Sequence, residues 1–193
     1  AGKEKVASIL TWTQKQQLER YPAIEKVYQV ATIRKGTTVH ELLAGQPIDP
    51  KVTVRGKSQD FDAFMKQWRI SGVIVVKDGK VVMEKYGMGR TPDQRWTSFS
   101  VAKSMTSTLI GAANKDGYIR SIYDPITRYI PELEGSAYDG VSLRQVVTMT
   151  SGVKWSEDYA DPNSDVGRIR SEKSVNGSDP IVTYMARLPR EAA

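Results

Sequence analysis

Ser100 and Lys103 are the residues whose types and spacing point most directly to chemistry. They lie in Arg95-Trp-Thr-Ser-Phe-Ser-Val-Ala-Lys-Ser-Met-Thr-Ser-Thr-Leu-Ile-Gly, which reads as a short extended approach leading into the first turn of an apolar helix. Side chains three apart on a helix share a face. An amine would then stand beside a hydroxyl at the positive end of the helix dipole. A neutral amine can take the serine proton as the oxygen attacks a carbonyl. Burial or a nearby cation favours the neutral form of such a base. The backbone N–H of Ser100, at a helix start with no helical acceptor, can donate to a developing oxyanion.

The bare pattern is weak. With 16 serines and 15 lysines in 193 residues, chance supplies about one Ser-x-x-Lys. Two occur, Ser100/Lys103 and Ser151/Lys154, and the second contains Gly152 after a turn. The bland reading of the first is a capping serine and an exposed lysine.

Composition narrows the alternatives. The chain has one histidine and no cysteine, which removes disulfides, thiolate metal sites and a cysteine nucleophile. His40, in His-Glu-Leu-Leu-Ala, lacks the second histidine of a zinc helix and reads as a surface or packing residue. A Ser-His-Asp triad within the chain is not supported. No metal or other cofactor is expected. The net charge of +6 is scattered and interleaved with Asp and Glu, with no run of five basic residues. It reads as a solvated surface rather than a nucleic-acid site. The uncharged run from Ser104 to Asn114 is too short to cross a bilayer. The sequence begins Ala-Gly-Lys-Glu-Lys, which fits a processed or trimmed N-terminus and puts a periplasmic or secreted location ahead of a cytoplasmic one.

The elements that must position the pair follow from patterning. A helix is expected over 4–19, with Val6, Ile9, Leu10 and Leu18 apolar, ending at Tyr21-Pro22. Residues 27–56 read as an extended arm, so 1–57 form an N-terminal helix and arm. Ser58 is expected to cap a helix through Trp68. The clearest signal is a hairpin over 72–87, Gly72-Val-Ile-Val-Val-Lys and Lys80-Val-Val-Met-Glu-Lys-Tyr around Asp78-Gly79. The nucleophile helix runs over 100–115, with Val101, Met105, Leu109, Ala112 and Ala113 as its apolar face and Asp116-Gly117 as its end. A helical region follows over 118–193, with Ser142 capping Leu143 to Thr148 and a last helix from Pro180. One hairpin is marginal alone. Either the arm adds strands or other chain completes the sheet.

Three stretches carry a family resemblance: Trp96-Thr-Ser-Phe-Ser-Val-Ala-Lys-Ser-Met-Thr-Ser, Gly117-Tyr-Ile-Arg-Ser-Ile-Tyr-Asp-Pro-Ile-Thr-Arg-Tyr-Ile-Pro-Glu and Ser142-Leu-Arg-Gln-Val-Val-Thr-Met-Thr-Ser-Gly-Val. From about Gly72 to Tyr159 the chain resembles the serine β-lactamase-like superfamily. It looks most like the class C β-lactamase-like esterases and amidases, including 6-aminohexanoate-dimer hydrolases. The resemblance implies an α/β (α+β type) β-lactamase/transpeptidase-like fold, with an antiparallel sheet flanked by helices and a helical subdomain in 58–193. It matches Ser100 to the acylated nucleophile and Lys103 to the general base, with the Ser100 N–H in the oxyanion hole. Thr-Met-Thr-Ser-Gly matches a structural turn. Tyr159 matches a loop tyrosine lining the substrate cleft, and equally fits a surface aromatic.

Two of the family's motifs are missing. None of the nine tyrosines is followed two residues later by Asn, and no Lys-Thr-Gly, Lys-Ser-Gly or His-x-Gly occurs. The expectation is the N-terminal half of a fold, incomplete in this chain and inactive until a complementary C-terminal fragment or chain joins it. The leading reading is a serine hydrolase that cleaves a small ester, amide or lactam through an acyl-serine intermediate. A penicillin-recognising sensor, β-lactamase or DD-peptidase is the second reading, and a catalytically inactive scaffold the third.

Overall fold

A computed structural model describes residues 9–28, 30–175 and 177–192. The chain divides into two compact units, one ending at Thr97 and the other beginning at Ser98.

In the first unit, α1 spans Gln14–Arg20. Thr13 caps it: its hydroxyl accepts from the Gln16 N–H at 3.3 Å, and the Gln16 side chain accepts from the Thr13 N–H at 2.8 Å. This capping box fixes where the helix starts. The expected helix over 4–19 is therefore interrupted: Ile9–Thr11 forms a separate 3-10 turn, and residues 4–8 lie outside the described residues. Trp12, between the two, is buried. Its ring lies 5.8 Å from Tyr21, which meets Trp96 edge-on at 5.5 Å. Arg20 and Arg90 stack over Trp12 and Trp96, adding cation–π attraction to the cluster.

The arm does supply strands. β1 (Leu43–Ala44) is followed by β2 (Lys51–Val54) and β3 (Lys57–Asp60), the latter two forming a hairpin. Ser58 pairs with Thr53 inside that ladder, so it cannot cap the next helix. Asp60 does so instead, its carboxylate accepting from the Ala63 N–H at 2.6 Å, and α2 spans Phe61–Gln67. β4 (Gly72–Lys77) and β5 (Lys80–Tyr86) pair antiparallel, with a bulge between Val75 and Val76. Asp78 and Gly79 both take positive φ, 52° and 72°, the geometry that a two-residue hairpin turn requires. β1 adds to β5 in parallel, giving the order β1-β5-β4.

The second unit is helical. α3 (Ala102–Lys115) follows a 3-10 turn at Phe99–Val101 and ends at Gly117. α4 spans Leu143–Val147, α5 Asp165–Arg168 and α6 Pro180–Met185. Ser142 caps α4 as expected, in a capping box with Gln145. The core is Ile119, Ile126, Leu133, Tyr138, Val141 and Leu143. α3 meets it through Ile110 and Ala113, and no residue of α3 is buried. The expected apolar face through Val101, Met105 and Leu109 is thus exposed.

Two features hold this unit together. Asp124, its side chain 11% exposed, accepts from the Tyr129 hydroxyl at 2.7 Å and pairs with Arg120 and Arg128 at 3.3 and 3.7 Å. The Tyr129 hydrogen bond, assisted by the arginines against the cost of burial, holds the Asp124 carboxyl below the usual carboxylate range. Gly152 has φ 72°, and a Cβ there would lie 2.3 Å from the Ala192 carbonyl. Its own carbonyl accepts from the N–H groups of Glu191 and Ala192, so only glycine fits.

Candidate active site

Ser100 sits within the 3-10 turn and Lys103 in the first turn of α3. The Lys103 amine donates to the Ser100 hydroxyl at 3.0 Å, and both residues are exposed. The structure therefore brings together the two residues that the sequence paired. In this geometry a neutral amine would instead accept the hydroxyl proton, over the same distance.

A feature the sequence did not signal adjoins the pair. Phe99 has φ +47°. For a bulky residue this is a genuine outlier, and such strain costs of the order of 1–3 kcal/mol. It sets the direction in which the chain enters the turn that carries Ser100. Beyond Lys103, hydroxyls line the helix and bond to its own carbonyls: Thr106 to Ala102, Ser107 to Ser104 and Thr108 to Ser104, at 3.2, 2.9 and 2.9 Å.

Tyr159 is 43% exposed, and its hydroxyl donates to Glu157 in the same loop at 2.5 Å. Asp165 anchors that loop. One carboxylate oxygen accepts from the Ser156 N–H and the other from the Tyr184 hydroxyl, each at 2.7 Å. Tyr184 is buried and meets Trp155 edge-on. Burial, then the bond to Asp165, push the Tyr184 hydroxyl up from its ordinary value. Ser164, also buried, lies 2.7 and 2.8 Å from the Asp158 and Asp161 carbonyls. Sequence reasoning missed Asp165, Tyr184 and Ser164. The only available signal was the Ser164-Asp165 cap at the start of a short helix.

The other candidates separate from the site. Ser151 accepts from the Val153 N–H, while the Lys154 N–H donates to the Pro189 carbonyl. The second Ser-x-x-Lys is therefore part of a turn. His40 is exposed in an irregular segment. Among the described residues, no group of three or more His, Asp or Glu is placed to hold a metal, and no helix is long and apolar enough to cross a membrane.

Comparison with known proteins extends this picture. The family profile described as Beta-lactamase matches residues 58–193. A 6-aminohexanoate-dimer hydrolase from Paenarthrobacter ureafaciens is 35% identical over 128 residues, covering 65% of this chain and 32% of that protein. A beta-lactamase from Pseudomonas fluorescens is 34% identical over 100 residues, 47% of this chain and 28% of the relative. A beta-lactamase from Providencia stuartii is 34% identical over 98 residues, 46% of this chain and 25% of the relative. The chain thus spans about a third or less of the length of each of these three relatives. A solved structure from Bacillus anthracis, provisionally named a 6-aminohexanoate-dimer hydrolase, superposes with a TM-score of 0.71 at 16% identity. It covers 93% of this chain and 50% of that one. At that identity the likeness is one of fold.

Proposed function

Since this chain belongs to the beta-lactamase family, we propose that it carries the nucleophile of a serine hydrolase that cleaves an ester or amide bond through an acyl-serine intermediate. The observation that supports this reading best is the 3.0 Å approach of Lys103 to Ser100 at the start of α3.

In the proposed reaction the Ser100 oxygen attacks the substrate carbonyl and its proton passes to the neutral Lys103 amine. The Ser100 N–H, in the first turn, donates to the oxyanion as charge builds there. Collapse of the intermediate expels the alcohol or amine, which takes the proton from Lys103. Water then attacks the acyl-serine, releases the acid and restores the hydroxyl. The exposed Tyr159 would border the substrate. Acylation is assigned to the completed fold, since both members of the pair are open to solvent in this chain.

Labelling with a fluorophosphonate or a β-lactam, read by intact mass and peptide mapping, tests this. An adduct on Ser100 that is absent from Ser100→Ala is expected in the completed protein. Its absence there overturns the proposal. The beta-lactamase relatives favour a second reading, in which the substrate is a lactam. Turnover of a β-lactam faster than of a linear amide would select it.

A further inference from the structure

Two long side chains stand where the backbone favours glycine. α2 ends in a Schellman turn: the Ile70 N–H donates to the Met65 carbonyl at 2.9 Å and the Arg69 N–H to the Lys66 carbonyl at 3.3 Å. The left-handed residue of such a turn is usually glycine. Here it is Arg69, with φ 55°. After β5 the chain makes a tight turn, closed by the Arg90 N–H donating to the Gly87 carbonyl at 3.1 Å. Met88 and Gly89 are its central residues, with φ 57° and 77°. Asn, Asp or Gly is the usual first residue of that geometry. A side chain with a Cβ is strained at both positions, and backbone strain of this kind gathers at ligand clamps.

Both side chains border the same two hollows of the first unit. One, of about 220 Å³, is walled by Leu18 of α1, Tyr21, Trp68 and Trp96. The other, of about 400 Å³, lies against Met65, Ile70 and Tyr86. The smaller is an aromatic niche. Trp68 is 56% exposed, and Trp96 is held edge-on by Tyr21 and stacked by the Arg90 guanidinium. Among the described residues that line it, Arg69 alone is charged. Gln17 positions that charge: its carbonyl accepts from the guanidinium at 2.5 Å, while its amide N–H donates to the Trp12 carbonyl at 3.1 Å. Among the described residues, none of the ion pairs includes Arg69. A neutral partner holds the guanidinium in place without cancelling its charge, and it occupies one donor of several.

We infer that the smaller hollow binds a one-ring aromatic carboxylate. The ring lies against Trp68, Trp96 and the Met88 thioether. The carboxylate accepts from the remaining donors of Arg69. A volume of about 220 Å³ is below that of a drug-sized pocket and suits a single ring. A neutral ring would leave the guanidinium unmatched, and a cation would be repelled by it. The lining residues all belong to the first unit, and the site is independent of acylation at Ser100.

The test uses the completed protein with Ser100→Ala, so that turnover plays no part. Phenylacetate is the probe, followed by isothermal titration calorimetry. Saturable one-to-one binding with a Kd of about 1 mM or tighter is expected. Phenylacetamide, the uncharged analogue, should bind about tenfold or more weakly, because it forfeits the charge-assisted bonds. Arg69→Gly separates binding from folding. Glycine suits φ 55°, so this variant should melt no lower than the parent while its affinity falls about tenfold or more. Met88→Asn suits its turn, and it should keep the melt while weakening binding about threefold or more. Absence of saturable binding, equal affinity for phenylacetamide, or undiminished affinity in either variant would each overturn the inference. A probe lodged at Ser100 instead gives that last result. A lower melt of Arg69→Gly would overturn it as well, since the arginine would then be kept for its bond to Gln17.

Discussion

Lys103 and Ser100 meet at 3.0 Å across a single helical turn, with the strained Phe99 immediately before them. The pair is local: its geometry depends on the turn and not on distant packing. In the completed protein, Lys103→Ala should slow acylation of Ser100 about 10²–10⁴-fold, the range for loss of a positioned base. Stopped-flow or mass-resolved acylation rates measure this. A rate within threefold of the parent would show that Lys103 is not the base.

The strain at Phe99 is separable from its side chain. Phe99→Gly and Phe99→Ala both remove the ring, but only glycine takes φ +47° freely. The glycine variant should be the more stable of the two by about 1 kcal/mol. Denaturant midpoints at fixed slope provide the comparison, and an alanine variant of equal or greater stability contradicts it.

Asp124 links the second unit to pH. Its folded pKa is depressed by Tyr129 and the neighbouring arginines. The stability it contributes is therefore present above the ordinary carboxylate value and is lost as pH falls through the folded pKa. Asp124→Asn should melt lower than the parent at pH 7. The gap should narrow progressively below about pH 4. Thermal melts from pH 7 to pH 2 test this, and a gap that widens in acid would reverse the sign.

Asp165 holds the Tyr159 loop by two hydrogen bonds. Asp165→Ala strands the Ser156 N–H and the buried Tyr184 hydroxyl, a loss of about 1–3 kcal/mol. Tyr184→Phe removes one bond, at about 1 kcal/mol. Limited proteolysis should cut the alanine variant faster between 156 and 164. Equal cleavage would show that the loop is held otherwise.

Gly152 cannot be replaced cheaply. Alanine there meets the Ala192 carbonyl and adopts an unfavourable φ, so Gly152→Ala should cost more than about 1 kcal/mol. Chemical denaturation decides it.

The sequence read best where a local rule is strong. Asp78-Gly79 announced its hairpin because both residues tolerate positive φ, and Ser142 with Gln145 announced a capping box. The same rules missed the Arg55-Gly56 hairpin, because arginine gives no sign that it will take φ 49°. Ser58 was a plausible cap until β2 claimed it as a ladder partner, which is a tertiary event. Ser100 and Lys103 were legible as a pair because one helical turn is enough to join them. Asp165 was not, since Tyr184 reaches it from 19 positions away in the sequence. The spacing of Val101, Met105 and Leu109 predicts an apolar face, yet all three are exposed, because periodicity carries no information about what packs against a helix.

The order β1-β5-β4 also has a kinetic consequence. The β4-β5 hairpin closes around two residues, and such ladders form in about 1–10 μs. β1 must close a loop of roughly 35 residues to reach β5, and loop entropy delays such pairings. Folding of the first unit should therefore nucleate at Asp78-Gly79. The parallel strand should arrive after the rate-limiting step, leaving Leu43 and Ala44 with φ-values near zero.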